Sequence, residues 1–189
     1  MNTLITPEDF MTKFNSVVNK YAITLRDKWN APNKFTKIFL GEKFSGGIMR
    51  ELAKNLELRY YREYYTLDAI FYKRKDEGIS DKSAEGALYA ESICIALEHE
   101  NNVNSSYIEM NKLAIFNTPL KVLVTYPSGK QKAEKFLTQY ASILTKADIF
   151  SDFSTLRRHM VIFGKLNKDR KPIWSYYVYK NKRFIPLEI

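Results

Sequence analysis

Apolar side chains recur at two different spacings along the chain, and the change from one to the other divides it. Phe10, Phe14, Val17, Val18, Tyr21 and Leu25 follow one another at intervals close to three or four residues, the repeat of an α-helix with one buried stripe. Thr6-Pro7-Glu8-Asp9 supplies a start signal. It places a hydroxyl at the N-cap, proline where its fixed φ and missing N–H do no harm, and acids in the first turn. The pattern predicts a helix over residues 7–29, broken by Ala31-Pro32-Asn33. Ser45-Gly46-Gly47 reads as a loop leading into a short helix through Met49, Leu52 and Ala53.

From Leu58 the spacing changes. Residues 58–73 are rich in Tyr, Phe and Ile and read as strands, and residues 73–83, charged and containing Gly78, read as a surface loop. Ile93-Cys94-Ile95-Ala96-Leu97 is a continuous apolar run, the signature of a central strand covered on both faces. After a polar turn, Ser106 and Glu109 stand at capping-box spacing and predict a helix from Tyr107 to about Phe116, ended by Asn117-Thr118-Pro119. Residues 120–126 form a second buried strand, stopped by Pro127-Ser128-Gly129. Residues 130–149 carry Ala133, Phe136, Leu137, Tyr140, Ile143 and Leu144 on one helical face. The tail reads as a β-meander over residues 160–187, with turns near 168–170 and 180–182. Helix, strands, central strand, helix, strand, helix, strands is the order of an α/β protein with a mixed sheet and helices on its faces. No internal repeat or linker interrupts the 189 residues, so the expectation is a single domain, 1–189, with its core at about 50–150.

Charge adds a partner class. Lys and Arg number 30 against 21 Asp and Glu, a net charge of +9, which points to an anionic partner and first to nucleic acid. A solvated lysine-rich surface has the same composition. The single cysteine, Cys94, lies in the apolar run, cannot form an internal disulfide, and reads as a buried thiol in a reducing compartment. The first ten residues show no secretory pattern and no apolar run reaches bilayer length, so the expected location is cytoplasmic. Walker loops, zinc-spaced Cys/His sets, glycine-rich dinucleotide turns and serine-nucleophile motifs are all missing from the sequence.

The candidate chemistry lies in Ile93 to Asn101. Strand side chains alternate between faces, so Glu98 and Glu100 project to one side, preceded there by the small Cys94 and Ala96. Two carboxylates at the end of a buried strand repel each other and lose solvation, and a divalent cation such as Mg2+ or Mn2+ offsets both penalties. Asp68 in Leu67-Asp68-Ala69-Ile70-Phe71 is a third acid amid strand-formers; if its strand pairs with the next, it can face the two glutamates.

With these residues the chain resembles the PD-(D/E)XK nuclease superfamily, whose core is helix, three strands, helix, strand. The family aspartate matches Asp68, without the preceding proline, and the first acid of the second element matches Glu98. Glu100 stands where the family has lysine, giving Glu-x-Glu, and Lys112 on the following helix is the candidate for a relocated cation. The resemblance covers about residues 50–126. It implies a restriction endonuclease-like fold and metal-dependent hydrolysis of phosphodiesters, in DNA more than RNA. Mg2+ or Mn2+ would be held by Asp68, Glu98, Glu100 and the Leu97 or His99 carbonyl, with Lys112 facing developing charge or orienting water and Glu63 as an outer acid. A chain this short has little room for a target-reading module, so sequence-specific cutting would call for a homodimer or a partner subunit.

Plainer readings stand beside these. Asp68 can satisfy a backbone amide, Glu98 and Glu100 can be solvated, Glu109 serves the helix cap, and the Lys112 stem can cover apolar surface between Ile108 and Ile115. His99 points to the opposite face and reads as packing, and His159 has no evident partner. Tyr60, Tyr61, Tyr64 and Tyr65 suit base stacking, and sheet packing accounts for them equally. Lys73-Arg74-Lys75, Arg157-Arg158, residues 168–171 and residues 180–183 are cationic stretches suited to phosphates or simply to solvent. The alternatives to a nuclease are therefore an inactive nuclease-fold module that binds nucleic acid or assembles with partners, and a protein whose three acids never converge.

Overall fold

A computed structural model describes residues 4–42, 46–73, 93–128 and 133–188. Four helices come first: α1 (Pro7–Lys20), α2 (Ala22–Lys28), α3 (Pro32–Leu40) and α4 (Ile48–Asn55). Then follow β1 (Arg59–Tyr64), β2 (Leu67–Tyr72), β3 (Ile93–Glu100), α5 (Ser106–Ile115), β4 (Leu120–Thr125), α6 (Ala133–Ala147), β5 (Arg158–Leu166), β6 (Pro172–Lys180) and β7 (Arg183–Leu187).

The strands form one sheet in the order β1-β2-β3-β4-β5-β6-β7. β1, β2 and β3 pair antiparallel, β3, β4 and β5 run parallel, and β5, β6 and β7 are again antiparallel. The C-terminal strands thus extend the central sheet, because β5 begins at Arg158 and pairs with β4. Side-chain alternation gives the sheet two cores. Ile95, Leu97, Val122, Val124, Met160 and Ile162 pack with the N-terminal helices. Ala96, Leu123, Val161 and Phe163 pack with Met110 and Leu113 of α5 and Tyr140 and Leu144 of α6. Both faces of β4 are buried, including Lys121 and Thr125 among its apolar residues.

Several local expectations are revised. The helix expected over residues 7–29 breaks at Tyr21, where Tyr21 and Lys20 both bond Glu51 of α4, at 2.9 and 2.6 Å. Its start is as read: Thr6 and Asp9 form a reciprocal capping box. Pro32 also begins a helix, because a proline at the first position needs no N–H partner. The Ser106/Glu109 capping box does not form. Ser105 is the N-cap, its hydroxyl donating back to the Asn102 carbonyl at 3.0 Å and not capping the helix, while Ser106 turns inward to donate to the Val103 carbonyl and meet the Tyr140 hydroxyl. Cys94 is half-buried and packs toward the N-terminal helices, not on the Glu98 side. Of the loop read at 73–83, only Lys73 falls within the described residues.

Two glycines are required by close approach. Gly47 has φ +90°, and a Cβ there would lie 2.5 Å from the Gly41 Cα, so it fixes the α3–α4 connection. A Cβ on Gly164 of β5 would sit 2.6 Å from the Trp174 ring and 2.7 Å from the Tyr126 ring. Glycine at that position lets both rings lie against the strand.

Candidate acidic site at the carboxyl end of β3

The β2–β3 register pairs Ala69 with Leu97, and one step further along each strand brings Asp68 and Glu98 side by side. The Asp68 N–H donates to Glu98 Oε2 at 3.4 Å, and the His99 N–H donates to Asp68 Oδ2 at 2.8 Å. Each carboxylate therefore takes a main-chain donor from the neighbouring strand, which fixes both side chains. Asp68 and Glu98 lie on the face covered by α5, whose Lys112 reaches over them. Its ammonium is 2.9 Å from Glu98 Oε1, 2.5 Å from Glu109 Oε2 and 2.8 Å from the Thr66 carbonyl.

Burial sets the electrostatics. Glu98 is 1% exposed, whereas the Lys112 side chain keeps 25% of its surface. Loss of solvent pushes the Asp68 carboxyl up, against the His99 amide that favours its charged form. Loss of solvent also pushes Glu98 well above the carboxylate range, aided by the nearby charges of Asp68 and Glu109 and opposed by Lys112. Burial pulls Lys112 down, but its contacts with Glu109 and Glu98 outweigh this and leave it raised. Glu98 Oε1 and Glu109 Oε2 are buried without a hydrogen bond of good geometry, although the ammonium touches both.

The other residues singled out by sequence fall elsewhere. Glu100, half-buried on the same strand face, accepts from the Asn102 N–H at 2.7 Å and so closes the turn after β3 instead of reaching the cluster. Among the described residues, no three His, Cys, Asp or Glu side chains are grouped so as to hold a metal ion. Glu109, assigned by its spacing to a cap, joins the cluster instead because that cap does not form. Glu63, at φ +58°, pairs with Arg62 and is not among the residues bonded to Asp68 or Glu98. His99 lies on the opposite face, its Nε2 2.8 Å from the Tyr126 hydroxyl, and burial lowers its pKa to about 3. Tyr60 packs internally and donates to the Leu40 carbonyl, while Tyr65 at the β1–β2 turn is 80% exposed. Arg157 is held by Asp152, and Arg74 and Lys75 lie outside the described residues.

A second polar cluster was not recognised from sequence. Lys121 of β4 is fully buried, pairs in register with His159 of β5, and donates to the Thr118 carbonyl at 3.1 Å. Burial, then the Arg157 charge, lowers its pKa to about 7, and burial keeps His159 neutral. The available signal was a lysine inside the apolar run Leu120 to Thr125. Because the folded amine holds its proton less tightly than the unfolded one, the unfolded chain binds more protons between about pH 7 and its ordinary value of 10.5. Stability should rise with pH across that window. Lys121→Met should flatten the rise and add about 1 kcal/mol at pH 7, read by urea unfolding at several pH values.

No protein-family model matches the chain, and no curated protein matches it. Among solved structures, it is similar to the central domain of yeast acetyl-CoA carboxylase, with a TM-score of 0.41 and 13% identity. That alignment covers 95% of this chain and 33% of the other, so the chain spans about a third of that domain's length. Among the described residues, no helix is long and apolar enough to cross a membrane.

Proposed function

We propose that this protein is a metal-dependent phosphodiesterase acting on DNA, of the PD-(D/E)XK type. One observation carries the reading: a buried and a half-buried carboxylate on neighbouring strands, Glu98 and Asp68, share a face with a cation already drawn in between Glu98 and Glu109. The order α4, β1, β2, β3, α5, β4, with β4 parallel to β3, supports it, being the order of that superfamily's core. The net charge of +9 supports a polyanionic substrate.

The cluster's side chains are oxygen donors of the type a hard divalent ion takes, but among the described residues no three acids are grouped to hold one. The buried Glu98 Oε1 and Glu109 Oε2 touch positive charge without an aligned N–H. Asp68 and Glu98 would hold Mg2+ or Mn2+ as a pair, with Glu109 held by Lys112 and Glu100 tied to the Asn102 turn. A bound divalent ion polarises the phosphate and lowers the pKa of a water molecule. Lys112 supplies the fixed positive charge that stabilises negative charge developing on the phosphate. The main-chain donors of Asp68 and His99 keep the two carboxylates oriented.

A second reading is an inactive nuclease-fold module that binds nucleic acid or a partner. The observation in its favour is that Lys112 neutralises Glu98 and Glu109 without any metal. Incubating plasmid and single-stranded DNA with wild type, Asp68→Ala and Glu98→Ala in Mg2+ or Mn2+ separates the two. Cleavage lost in both variants is expected. Cleavage surviving both rejects the site, and wild-type binding without cutting supports the module.

A further inference from the structure

A cleft of about 330 Å³ lies at the same end of the sheet as Glu98 but on the opposite face. It is lined by Trp29, Asn30, Pro32, Phe35, Asn101 and Tyr126. Asn101 immediately follows β3 and Tyr126 immediately follows β4, so the cleft sits outside the carboxyl ends of two parallel strands.

Its walls are three rings set nearly at right angles. Trp29 and Phe35 meet at 79° with centroids 5.2 Å apart, Trp29 and Tyr126 at 87° and 5.4 Å, Phe35 and Tyr126 at 81° and 5.2 Å. His99 holds the Tyr126 hydroxyl at 2.8 Å, and the bare Cα of Gly164 admits the Tyr126 ring against β5. The walls are therefore set before any ligand arrives, which lowers the ordering cost of binding. At the rim, Asn101 donates from Nδ2 to Thr36 Oγ1 at 2.8 Å, which fixes the amide and presents Oδ1 as an acceptor. Lys28 and Lys34, both exposed, flank Trp29 and Phe35 in sequence.

We infer that this cleft receives one unpaired nucleobase of a single strand. The inference rests on nucleic acid being the substrate. The half-buried Trp29 and Tyr126 rings, not the buried Phe35, offer π-faces to a flat base, and a fixed acceptor at the rim matches the exocyclic amine of adenine or cytosine. A volume near the lower end of small-ligand pockets takes one base and not a duplex. An aromatic corner of this kind also suits a quaternary ammonium ion, but the lysines beside it and the net charge of +9 oppose a cation.

The test is tryptophan fluorescence on the full chain without metal, titrated with dAMP, dCMP, dTMP and choline, alongside binding of labelled dA12 and dT12. Wild type should be quenched by dAMP and dCMP more than by dTMP. Asn101→Ala should weaken dA12 binding about tenfold, and Trp29→Leu should abolish most of the quenching. Circular dichroism checks folding, and the exposed Asn101→Ala decides the matter if Trp29→Leu does not fold. No quenching by any nucleotide, equal binding by Asn101→Ala, or saturation by choline alone overturns the inference. Nucleotide binding by a wild type that never cuts DNA keeps the cleft and removes the nuclease reading. Cutting that needs Asp68, with no quenching, does the reverse.

Discussion

Glu98→Gln should lower metal-dependent cleavage roughly a thousandfold while leaving the protein folded. The amide keeps the size of a side chain that is 1% exposed, but it cannot supply an anionic oxygen to a divalent ion. The same substitution makes a stability prediction of definite sign. Folded Glu98 and Asp68 hold their protons to higher pH than the unfolded chain does, chiefly because burial disfavours their charged forms. From the ordinary carboxylate values upward, the native state therefore binds more protons and loses stability as pH rises. Urea unfolding in EDTA at pH 5 and pH 8 should show Glu98→Gln gaining stability relative to wild type as pH rises, since the opposing contributions of Lys121, His99 and His159 are common to both proteins. A variant that cuts DNA at the wild-type rate removes Glu98 from the chemistry.

Lys112→Met gives the second large effect, on stability. It leaves Glu109 without its cation and, at pH values where Glu98 is ionised, strands that buried carboxylate. Removing one partner of a buried ion pair is strongly destabilising; with a quarter of the Lys112 side chain in solvent, the expected loss in EDTA is about 2 kcal/mol. Mn2+ should then raise the Tm of Lys112→Met more than that of wild type, because the ion takes up charge the ammonium no longer neutralises. Equal Mn2+ effects on both proteins would mean that these acids do not form a cation site.

The elements that sequence made legible are those where periodicity and punctuation agree. α1 has both a stripe and a capping box, and β3 and β4 have apolar runs closed by polar or proline-containing turns. The pairing of Asp68 with Glu98 was readable because strand alternation and antiparallel neighbours leave few arrangements. Glu100 was not placed correctly by alternation alone. A residue at a strand end answers to the turn, and the Asn102 amide takes its carboxylate. Glu109 was hidden by a spacing that fits a cap, which fails because Ser106 is drawn inward toward Tyr140. The aromatic cleft joins residues from 29 to 126, and no local pattern reports contacts so distant.

The parallel strands at the centre of the sheet also set the order in which the chain can assemble. β1–β2 and β5–β6–β7 are built from neighbours in sequence and can close within microseconds. β3, β4 and β5 meet only after the chain has crossed the sheet through α5 and again through α6. Those crossovers carry the entropy of long-range closure, so they form the slow stage of refolding. Until they dock, Ile95, Leu97, Val122 and Val124 remain open to other chains, and during synthesis that interval is when the protein is most exposed to aggregation.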